Sequence, residues 1–430
     1  MGIGRSAFVL HPCSSVFIRG YETPRMKLAL IRRQFSATGG AELYLQRLLG
    51  ALVKAGHEPH LFAESWEGAA EGVTLHRVPV SGSRAEKPMR FANAVKDAVA
   101  REKFDCIFSL ERTLQQDVYR AGDGVHRVWL QRRREFAPWW KRPFIGRGAF
   151  HRNMKWLEAQ TFDPANTRHV IVNSEMVRRE ILEHFQFPAE RIHLVRNGVD
   201  VARFQSGKRA ETRARFGVKE DEFLLLFVGS GWERKGLGFL LQAMHMLAVQ
   251  GLADRLMAGV REFRDASAAV SAQLAGLPAP DHGGRRSESS IPWNKVKLLV
   301  VGKGLVPADA PRTVIFAGAM PDVENACAAA DLFVFLPIYE PSANVVFEAL
   351  AAGLPVITSR FNGAGEVIEA GRNGTILTDP ADVTSVVRSI GQWWSRRFTS
   401  TIVDERQLSM ERHVVETMQL LELAAREKRE

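Results

Sequence analysis

The feature that most restricts the fold of this chain is an alternation of short apolar runs with helix-like segments. From Met26 onward, the stretch MKLALIRRQFSATGGAELYLQRLLGALVKAGHEPHLFAES predicts a strand, a glycine-containing loop, a helix that stops at Gly56, and a second strand. The runs VTLHRVPV, FDCIFSL, HVIVNS and IHLVRNGV predict further strands, and helical periodicity appears at 91–102 and 174–185. Strands that alternate with helices predict an α/β fold, with a parallel sheet covered on both faces.

The same alternation begins again after the Asn-Gly-Val-Asp turn at 197–200, which predicts a domain junction there. FLLLFVGS, KLLVVGKG, TVIFAGAM, LFVFLP and LPVITS predict strands, with helices near 238–250, 322–330 and 344–352. A length of 430 residues also favours two domains of similar size. Two open α/β domains in series place their ligand sites at the strand ends, so that both sites face a shared cleft.

The domain boundaries follow from these two starts. We expect an N-terminal extension at 1–25, a first domain at 26–198, a second domain at 199–385 with a Gly/Pro/Ser-rich insertion at 251–295, and C-terminal helices at 386–430. These last helices complete the fold and can cross back to the first domain. The functions of the extension and of the insertion stay open.

Composition excludes several classes of protein. No charge-free stretch exceeds 18 residues, about the minimum for a membrane-spanning helix, and the one that reaches this length, 236–253, is interrupted by glutamine and histidine. Residues 1–25 lack the unbroken apolar core of a signal peptide, because Pro12, Arg19 and Glu22 interrupt it. The three cysteines are far apart and form no Cys-x-x-Cys pair, which argues against a disulfide framework and against a zinc site. We therefore expect a cytoplasmic protein.

The positive charge of the chain is concentrated in one segment. Residues 127–155 hold nine basic residues and one acidic residue, a net charge of +8, and residues 1–25 add +2, so the rest of the +10 chain is neutral. Aromatic residues interleave with these cations, a pattern that suits single-stranded nucleic acid or an anionic bilayer surface. No nucleic-acid-binding module is recognisable, so we favour the membrane surface, with a solvated helix as the alternative. The candidate membrane contacts are Trp129, Arg132, Arg133, Arg134, Trp139, Trp140, Lys141 and Arg142.

The sharpest motif is YEPSANVVFEALAAGLPVITSRFNGAGEVI at 339–368. Glu340 ends a strand, Pro341 suits the first turn of a helix, and Glu348 lies inside that helix. A helix N-terminus stabilises negative charge, so we expect both glutamates to be ionised and to accept hydrogen bonds from the hydroxyls of a sugar and a ribose. The alternative is a helix with two surface acids.

Two glycine-containing turns complement this motif. In VGSGWERKGLGFLL, Arg234 and Lys235 precede a helix, where two cations and free backbone N–H groups can hold a diphosphate. Taken alone, the pair could equally be a solvated charge pair. Gly39 and Gly40 lie in the corresponding turn of the first domain. Neither a Walker A motif nor a GxGxxG fingerprint is present there, which disfavours an ATPase or a dehydrogenase.

Together these motifs resemble those of the retaining nucleotide-sugar glycosyltransferases of family 4. The resemblance implies a GT-B fold, in which two Rossmann-like domains face each other, the first binding the acceptor and the second binding the nucleotide sugar. It implies that Glu340 is catalytic and holds donor-sugar hydroxyls, and that a basic pair replaces the metal ion used by other transferases. It implies no cofactor other than the donor substrate. The donor-binding residues so implied are Gly39, Gly40, Arg234, Lys235, Asn344, Val345 and Glu348.

The acceptor side is similar to that of one group within this family. The AESWEG run at 63–68, the DVYxAxD pattern that ends at Asp123, and the basic segment resemble members that add glucose to a heptose of the lipopolysaccharide core. The resemblance implies that Asp123 is catalytic and orients or deprotonates the acceptor hydroxyl, whereas a structural alternative is that Asp123 caps the following helix. Residues 124–126 depart from the pattern, so the acceptor stays open.

The reaction implied is transfer of a hexose, with glucose from UDP-glucose favoured, to a heptose of the nascent lipopolysaccharide core. The partners implied are a nucleotide-sugar donor, a lipid-linked oligosaccharide acceptor and an anionic membrane, on the cytoplasmic face of the inner membrane. One alternative keeps the fold and uses mannose or N-acetylglucosamine with another glycolipid. Further alternatives are a sugar-nucleotide epimerase and a non-catalytic membrane-bound protein.

Overall fold

The first domain is built on a seven-stranded, wholly parallel sheet with the strand order β3-β2-β1-β4-β5-β6-β7. The computed structural model describes residues 25–34, 40–66, 71–252, 292–396 and 409–430. The strands are β1 (Lys27–Ile31), β2 (Glu58–Ala63), β3 (Thr74–Arg77), β4 (Cys106–Ser109), β5 (Gln116–Arg120), β6 (Thr167–Val172) and β7 (Ile192–Leu194).

Helices cover both faces of this sheet, because its central strands carry apolar side chains on both faces. In β1, Leu28 and Leu30 join one buried cluster, while Ala29 and Ile31 join another on the opposite face. Residues separated by two positions line the same face of a strand, so a continuous apolar run requires two coverings. The helices of this domain are α1 (Gly40–Lys54), α2 (Lys87–Val99), α3 (His126–Glu135), α4 (Ala149–Thr161) and α5 (Glu175–Phe185).

The second domain repeats the architecture on a six-stranded parallel sheet with the order β10-β9-β8-β11-β12-β13. Its strands are β8 (Phe223–Val228), β9 (Val296–Val301), β10 (Val314–Gly318), β11 (Leu332–Phe335), β12 (Val356–Ser359) and β13 (Gly374–Leu377). Its helices are α6 (Val201–Gln205), α7 (Arg209–Arg215), α8 (Trp232–Lys235), α9 (237–252), α10 (Val323–Ala329), α11 (Asn344–Ala351) and α12 (Val383–Trp394). The two parallel-sheet domains predicted from the sequence are confirmed.

Two domain boundaries need correction. The boundary placed at residue 385 is wrong because it cuts α12, whose Val386, Ile390 and Trp393 are buried in the core of the second domain. The insertion placed from residue 251 begins too early, since α9 still includes 251 and 252. Most of that insertion, and the extension before residue 25, lie outside the described residues.

The last helix, α13 (Met410–Arg429), returns to the first domain. Its Val414 and Leu421 pack in the same buried cluster as Leu28 of β1, and Lys428 Nζ lies 2.8 Å from Asp117 Oδ2 of β5. This confirms that the chain crosses back and ties the two domains together. Among the described residues, no helix combines the length and apolar character that crossing a bilayer requires.

Two strands, β5 and β13, were not predicted. The sequence of β5, QDVYR, begins with a polar and an acidic residue and ends with a basic one, which leaves only two residues between the charges. Asp117 is buried there because its carboxylate accepts a 2.8 Å hydrogen bond from the Ile107 backbone and pairs with Lys428. A charged side chain can be buried in a sheet when it is paired with another group of the fold. Such partners are distant in sequence, so the residues of the strand alone do not reveal them.

Candidate active site

A cavity of about 310 Å³ lies in the cleft between the two domains. Its wall from the first domain follows β1, β5 and β6, and its wall from the second domain follows β8 and β11, so strand ends from both sheets meet here as predicted. The charged side chains that line it are Arg32, Arg120, Asp123, Lys235, Glu340 and Glu348. Four of these six were identified from the sequence; Arg32 and Arg120 were not.

The basic turn of the second domain is held by glycine at both ends. Gly231 and Gly236 flank α8 with φ of 74° each, a left-handed conformation that favours glycine. A Cβ at Gly236 would collide with the carbonyl group of Leu336 at the end of β11. Lys235 is half-buried in the cleft, and burial lowers its pKa while Glu340 and Glu348 oppose that effect. The turn therefore places the Lys235 side chain in the cavity.

Arg234 has a different neighbour from the one implied by the resemblance. Its Nη2 lies 2.9 Å from Oε2 of Glu340, so the guanidinium orients this carboxylate. The backbone of Glu340 is also fixed, since its N–H donates to Phe361 O at 2.8 Å and its C=O accepts from Gly363 N at 2.9 Å. Glu340 is thus held in the cleft on three sides, while a diphosphate role for Arg234 stays a prediction.

Glu348 differs from the expectation that it would be ionised. It lies in the second turn of α11, where burial raises its pKa to about 7, against the opposing charges of Arg203 and Lys235. The carboxyl group makes no hydrogen bond or ion pair with any residue that the structure describes. Burial therefore opposes the ionised form that was expected for Glu348, because desolvation acts against the favourable helix end.

This elevated pKa predicts how stability depends on pH. The folded protein holds the Glu348 proton up to a pKa of about 7, whereas the unfolded chain releases it near the ordinary value of 4.5. Stability contributed by the protonated carboxyl group is therefore lost as pH rises from 4.5 through 7. We expect Glu348→Gln to flatten this decline in the free energy of unfolding, measured by urea denaturation across the same range. Parallel curves for the two proteins would contradict the assignment.

Asp123 lies in the turn between β5 and α3 and is exposed in the cleft. It does not cap α3, since the N-cap residue is Val125 and the first backbone N–H groups of the helix, those of His126 and Arg127, donate to the Glu158 carboxylate instead. The capping alternative is therefore wrong. Gly124, with φ of 66°, lies against Tyr339 and Pro341 of the second domain, and a Cβ there would come within 2.7 Å of Pro341 Cγ. This contact between domains positions the turn that carries Asp123.

A polar row that was not predicted joins the two walls of the cleft. Arg120 Nη2 donates to Asn197 Oδ1 at 2.7 Å, and Asn197 Nδ2 donates to Asn344 Oδ1 at 2.7 Å. Arg120 also lies over the Tyr44 ring at 4.6 Å, and its buried Nε has no hydrogen-bond partner among the described residues. The Asn-Gly turn was identified only as a domain junction, so its side-chain role was missed. Asn344 and Val345 both line the cavity, as the donor assignment requires.

The glycine turn of the first domain is only partly described. Gly39 lies outside the described residues, and Gly40 is the first residue of α1. Their assignment to the donor stays a prediction.

The basic segment divides into residues that face the protein and residues that face solvent. Trp129 packs against a buried cluster of the first domain, with its ring 6.5 Å from that of Tyr339. It was wrongly placed among the membrane contacts, since its spacing on α3 turns it towards the core. Trp139 and Trp140 remain 76% and 56% exposed, and Lys141 is exposed beside them.

The arginines of this segment have protein partners. Arg132 pairs with Glu135 at 2.7 Å and lies over the Phe361 ring at 4.5 Å, and Arg133 Nε lies 3.5 Å from Glu233 Oε1. Arg134 and Arg142 donate to backbone carbonyl groups at 2.8 Å and 2.9 Å. Part of the positive charge therefore stabilises the segment and its contact with the second domain.

Two family models match the chain, one in each domain. The model "Glycosyltransferase Family 4" matches residues 38–203, and "Glycosyl transferases group 1" matches residues 287–396. Together the matches cover more than half of the chain.

Relatives in sequence are distant but extend over most of the chain. The lipopolysaccharide glucosyltransferase WaaG of Escherichia coli (strain K12) is 24% identical over 366 residues, covering 83% of this chain and 86% of WaaG. The uncharacterized glycosyltransferase MJ1607 of Methanocaldococcus jannaschii is 25% identical over 396 residues, covering 87% and 91%.

Solved structures share the two-domain architecture. The crystal structure of WaaG superposes with a TM-score of 0.64 at 22% identity, covering 93% of this chain and 98% of WaaG. Anabaena Alr3699/HepE in complex with UDP and glucose superposes with a TM-score of 0.59 at 16% identity, covering 92% and 99%. With both domain matches and this common fold, the chain belongs to glycosyltransferase family 4, a retaining family, and has the GT-B fold.

Proposed function

We propose that this glycosyltransferase moves a hexose, with glucose from UDP-glucose favoured, to a heptose of the nascent lipopolysaccharide core. The observation that carries the proposal is the shared cavity, in which Lys235, Glu340 and Glu348 lie opposite Asp123. Two similar proteins support the substrates: WaaG is a lipopolysaccharide glucosyltransferase, and HepE was solved with UDP and glucose and with UDP-glucose.

In the proposed reaction, the bond between the anomeric carbon and the β-phosphate oxygen breaks, and a bond to the acceptor oxygen forms on the same face. Lys235 faces the diphosphate and stabilises the negative charge that develops as UDP leaves. Glu340, oriented by Arg234, accepts hydrogen bonds from donor-sugar hydroxyls. Glu348 binds the ribose, and Asp123 accepts a hydrogen bond from the attacking acceptor hydroxyl and takes its proton as the new bond forms. We propose that these side chains supply the charge stabilisation without a metal ion.

The decisive experiment is incubation of the purified protein with UDP-glucose and heptose-terminated core lipid. We expect a product heavier by one hexose, with an anomeric NMR signal that shows retention. A donor screen that includes mannose and N-acetylglucosamine nucleotides distinguishes the alternative substrates by product mass. Conversion of the donor without any acceptor would favour the epimerase instead, and absence of transfer from every donor would overturn the proposal.

We also propose that the segment 138–147, named here the aromatic hook, holds the enzyme against an anionic membrane that carries the acceptor. The hook presents Trp139, Trp140 and Phe144 to solvent, together with exposed Lys141 and Arg147. Large exposed aromatic side chains next to cations match the headgroup zone of a bilayer. This would place the enzyme peripherally on the cytoplasmic face of the inner membrane.

Removing the two exposed tryptophans tests the hook. We expect Trp139→Ala/Trp140→Ala to weaken binding to phosphatidylglycerol-containing vesicles by about tenfold or more, because each large ring contributes roughly 1.5–3 kcal/mol when buried. Vesicle co-sedimentation measures the change. The control variant Val249→Ala/Leu252→Ala removes exposed apolar side chains from α9 and should bind as the unmodified protein does. Equal binding by all three proteins would contradict the proposal.

A further inference from the structure

Three side chains with metal-ligating atoms meet at one edge of the first-domain sheet. His60 lies on β2, His76 lies on the edge strand β3, and Glu102 follows α2. One ligand atom from each residue lies within 4.8 Å of the other two, and no other such group of three occurs among the residues that the structure describes. We propose that these three residues bind a divalent transition-metal ion of the zinc class.

The two imidazole rings are already held with their nitrogens facing each other. His60 Nδ1 lies 2.8 Å from His76 Nε2. The His76 ring is stacked on Phe62, with centroids 4.3 Å apart and planes inclined by 7°, and the His60 ring meets Phe104 edge to face at 5.2 Å. Packed rings lose little freedom when they bind a metal ion, so this pair is preorganised.

Glu58 fixes which nitrogen of His60 faces the site. Its Oε1 lies 3.0 Å from His60 Nε2, so this nitrogen carries the proton and donates it in a hydrogen bond to the carboxylate. The lone pair of Nδ1 is then directed towards His76. A carboxylate behind a ligating histidine is the usual arrangement in metal sites, because it fixes the tautomer and increases the ligand's basicity. Neutral His76 supplies a second lone pair when its proton is on Nδ1.

Lys27 pairs with the carboxylate of this group and would compete with a metal ion for it. Its Nζ lies 2.7 Å from Glu102 Oε2, and both side chains are partly exposed, so this pair can open at modest cost. With Lys27 displaced, two imidazole nitrogens and one carboxylate oxygen form a ligand set typical of zinc, and a fourth position is left for water.

The site differs from the proposed catalytic centre in place and in role. None of its residues lines the cavity in the cleft. A bound ion would instead join β2, β3 and the segment after α2, and so fasten an edge strand whose only partner in the sheet is β2. The expected consequence is higher thermal stability rather than a change in the chemistry of transfer.

The opposite edge of the same sheet offers a matched control. His169 on β6 and His193 on β7 face each other at 3.1 Å, and Glu427 lies 2.7 Å from the outer nitrogen of His169. This pair reproduces the paired rings and the carboxylate behind them, but it has no third ligand within the described residues. Comparison with the His169–His193 pair therefore distinguishes binding by three ligands from any general effect of two adjacent histidines.

Titration calorimetry with ZnCl2 on the full-length, tag-free, metal-stripped protein tests the proposal. We expect one Zn²⁺ per chain and an increase in Tm on binding. Glu58→Gln should weaken binding by about 10- to 100-fold as an outer partner, and His76→Ala, which removes a ligand, should weaken it further. Lys27→Met should tighten binding, because it removes the competing cation, and His193→Ala should leave the affinity unchanged.

The same measurements can overturn the proposal. Absence of saturable binding, or equal affinity in His76→Ala and His193→Ala, would show that the His60–His76 contact is only a hydrogen bond. Weaker binding in Lys27→Met would contradict the proposed exchange at Glu102. Circular dichroism of each variant confirms that loss of affinity is not loss of folding.

Discussion

Replacing Lys235 with alanine is expected to lower kcat by about 10²- to 10³-fold, the usual effect of removing one preorganised group that stabilises developing charge. The ammonium group lies in the cavity with Glu340 and Glu348, where it would meet the departing diphosphate. Because burial already lowers the pKa of Lys235, its removal should cost the fold little. Initial rates of hexose transfer, together with Tm, measure both effects.

Lys208→Ala is the matched control for this variant. Lys208 precedes α7, and its Nζ lies 3.2 Å from a Glu211 carboxylate oxygen on the surface. The substitution therefore removes the same charge as Lys235→Ala does, but at a position away from the cleft. We expect unchanged turnover in this variant. Full activity of Lys235→Ala would overturn the assignment of the diphosphate position.

Replacing Gly124 with alanine is expected to abolish most of the transfer activity while UDP binding persists. The new Cβ would collide with the Tyr339 hydroxyl group and approach Pro341 Cγ to 2.7 Å, so the turn that carries Asp123 must move away from the second domain. The side chains assigned to the nucleotide belong to the second domain and are not displaced directly. Turnover, and UDP affinity by calorimetry, distinguish these effects.

Gly217→Ala is the control variant that distinguishes the collision at Gly124 from the effect of backbone strain. Gly217 has φ of 62°, close to the 66° of Gly124, but a Cβ there meets no atom within 4 Å. Both variants should lose about 1–2 kcal/mol of stability from the left-handed conformation. Only Gly124→Ala should lose transfer activity, and equal activity in the two variants would mean that the domain contact does not position Asp123.

Among the strands that sequence analysis recovered, the clearest are those with continuous apolar runs. The six residues of β8, FLLLFV, are all buried, and such a run has few alternatives to the interior of a parallel sheet. By contrast, β5 was missed because its charged residues are paired by groups distant in sequence, with Asp117 contacting Lys428 from α13. Local hydropathy patterns predict which apolar side chains are buried, but they do not predict which charged side chains form ion pairs.

The candidate site shows the same division. Glu340, Glu348 and the Gly-flanked Lys235 were identified because their motifs are short and local, and the structure brings all three to one cavity. Arg120 and the side-chain role of Asn197 were missed, since Arg120 contacts Asn197 and Asn197 contacts Asn344 only after folding brings these distant residues together. Trp129 was misplaced because an aromatic residue in a basic segment does not reveal which way its helix faces.

The sequence by itself determined the parallel α/β architecture, the restart after residue 197 and the charged residue types that the second domain contributes to the cleft, because periodicity and glycine turns act over a few residues. Only the tertiary structure decided the raised pKa of Glu348, the placement of the Asp123 turn against Tyr339 and Pro341, and the pairing of His60 with His76. Desolvation, steric contact and shared ligand geometry depend on atoms that the chain brings together from distant positions, so no local pattern encodes them.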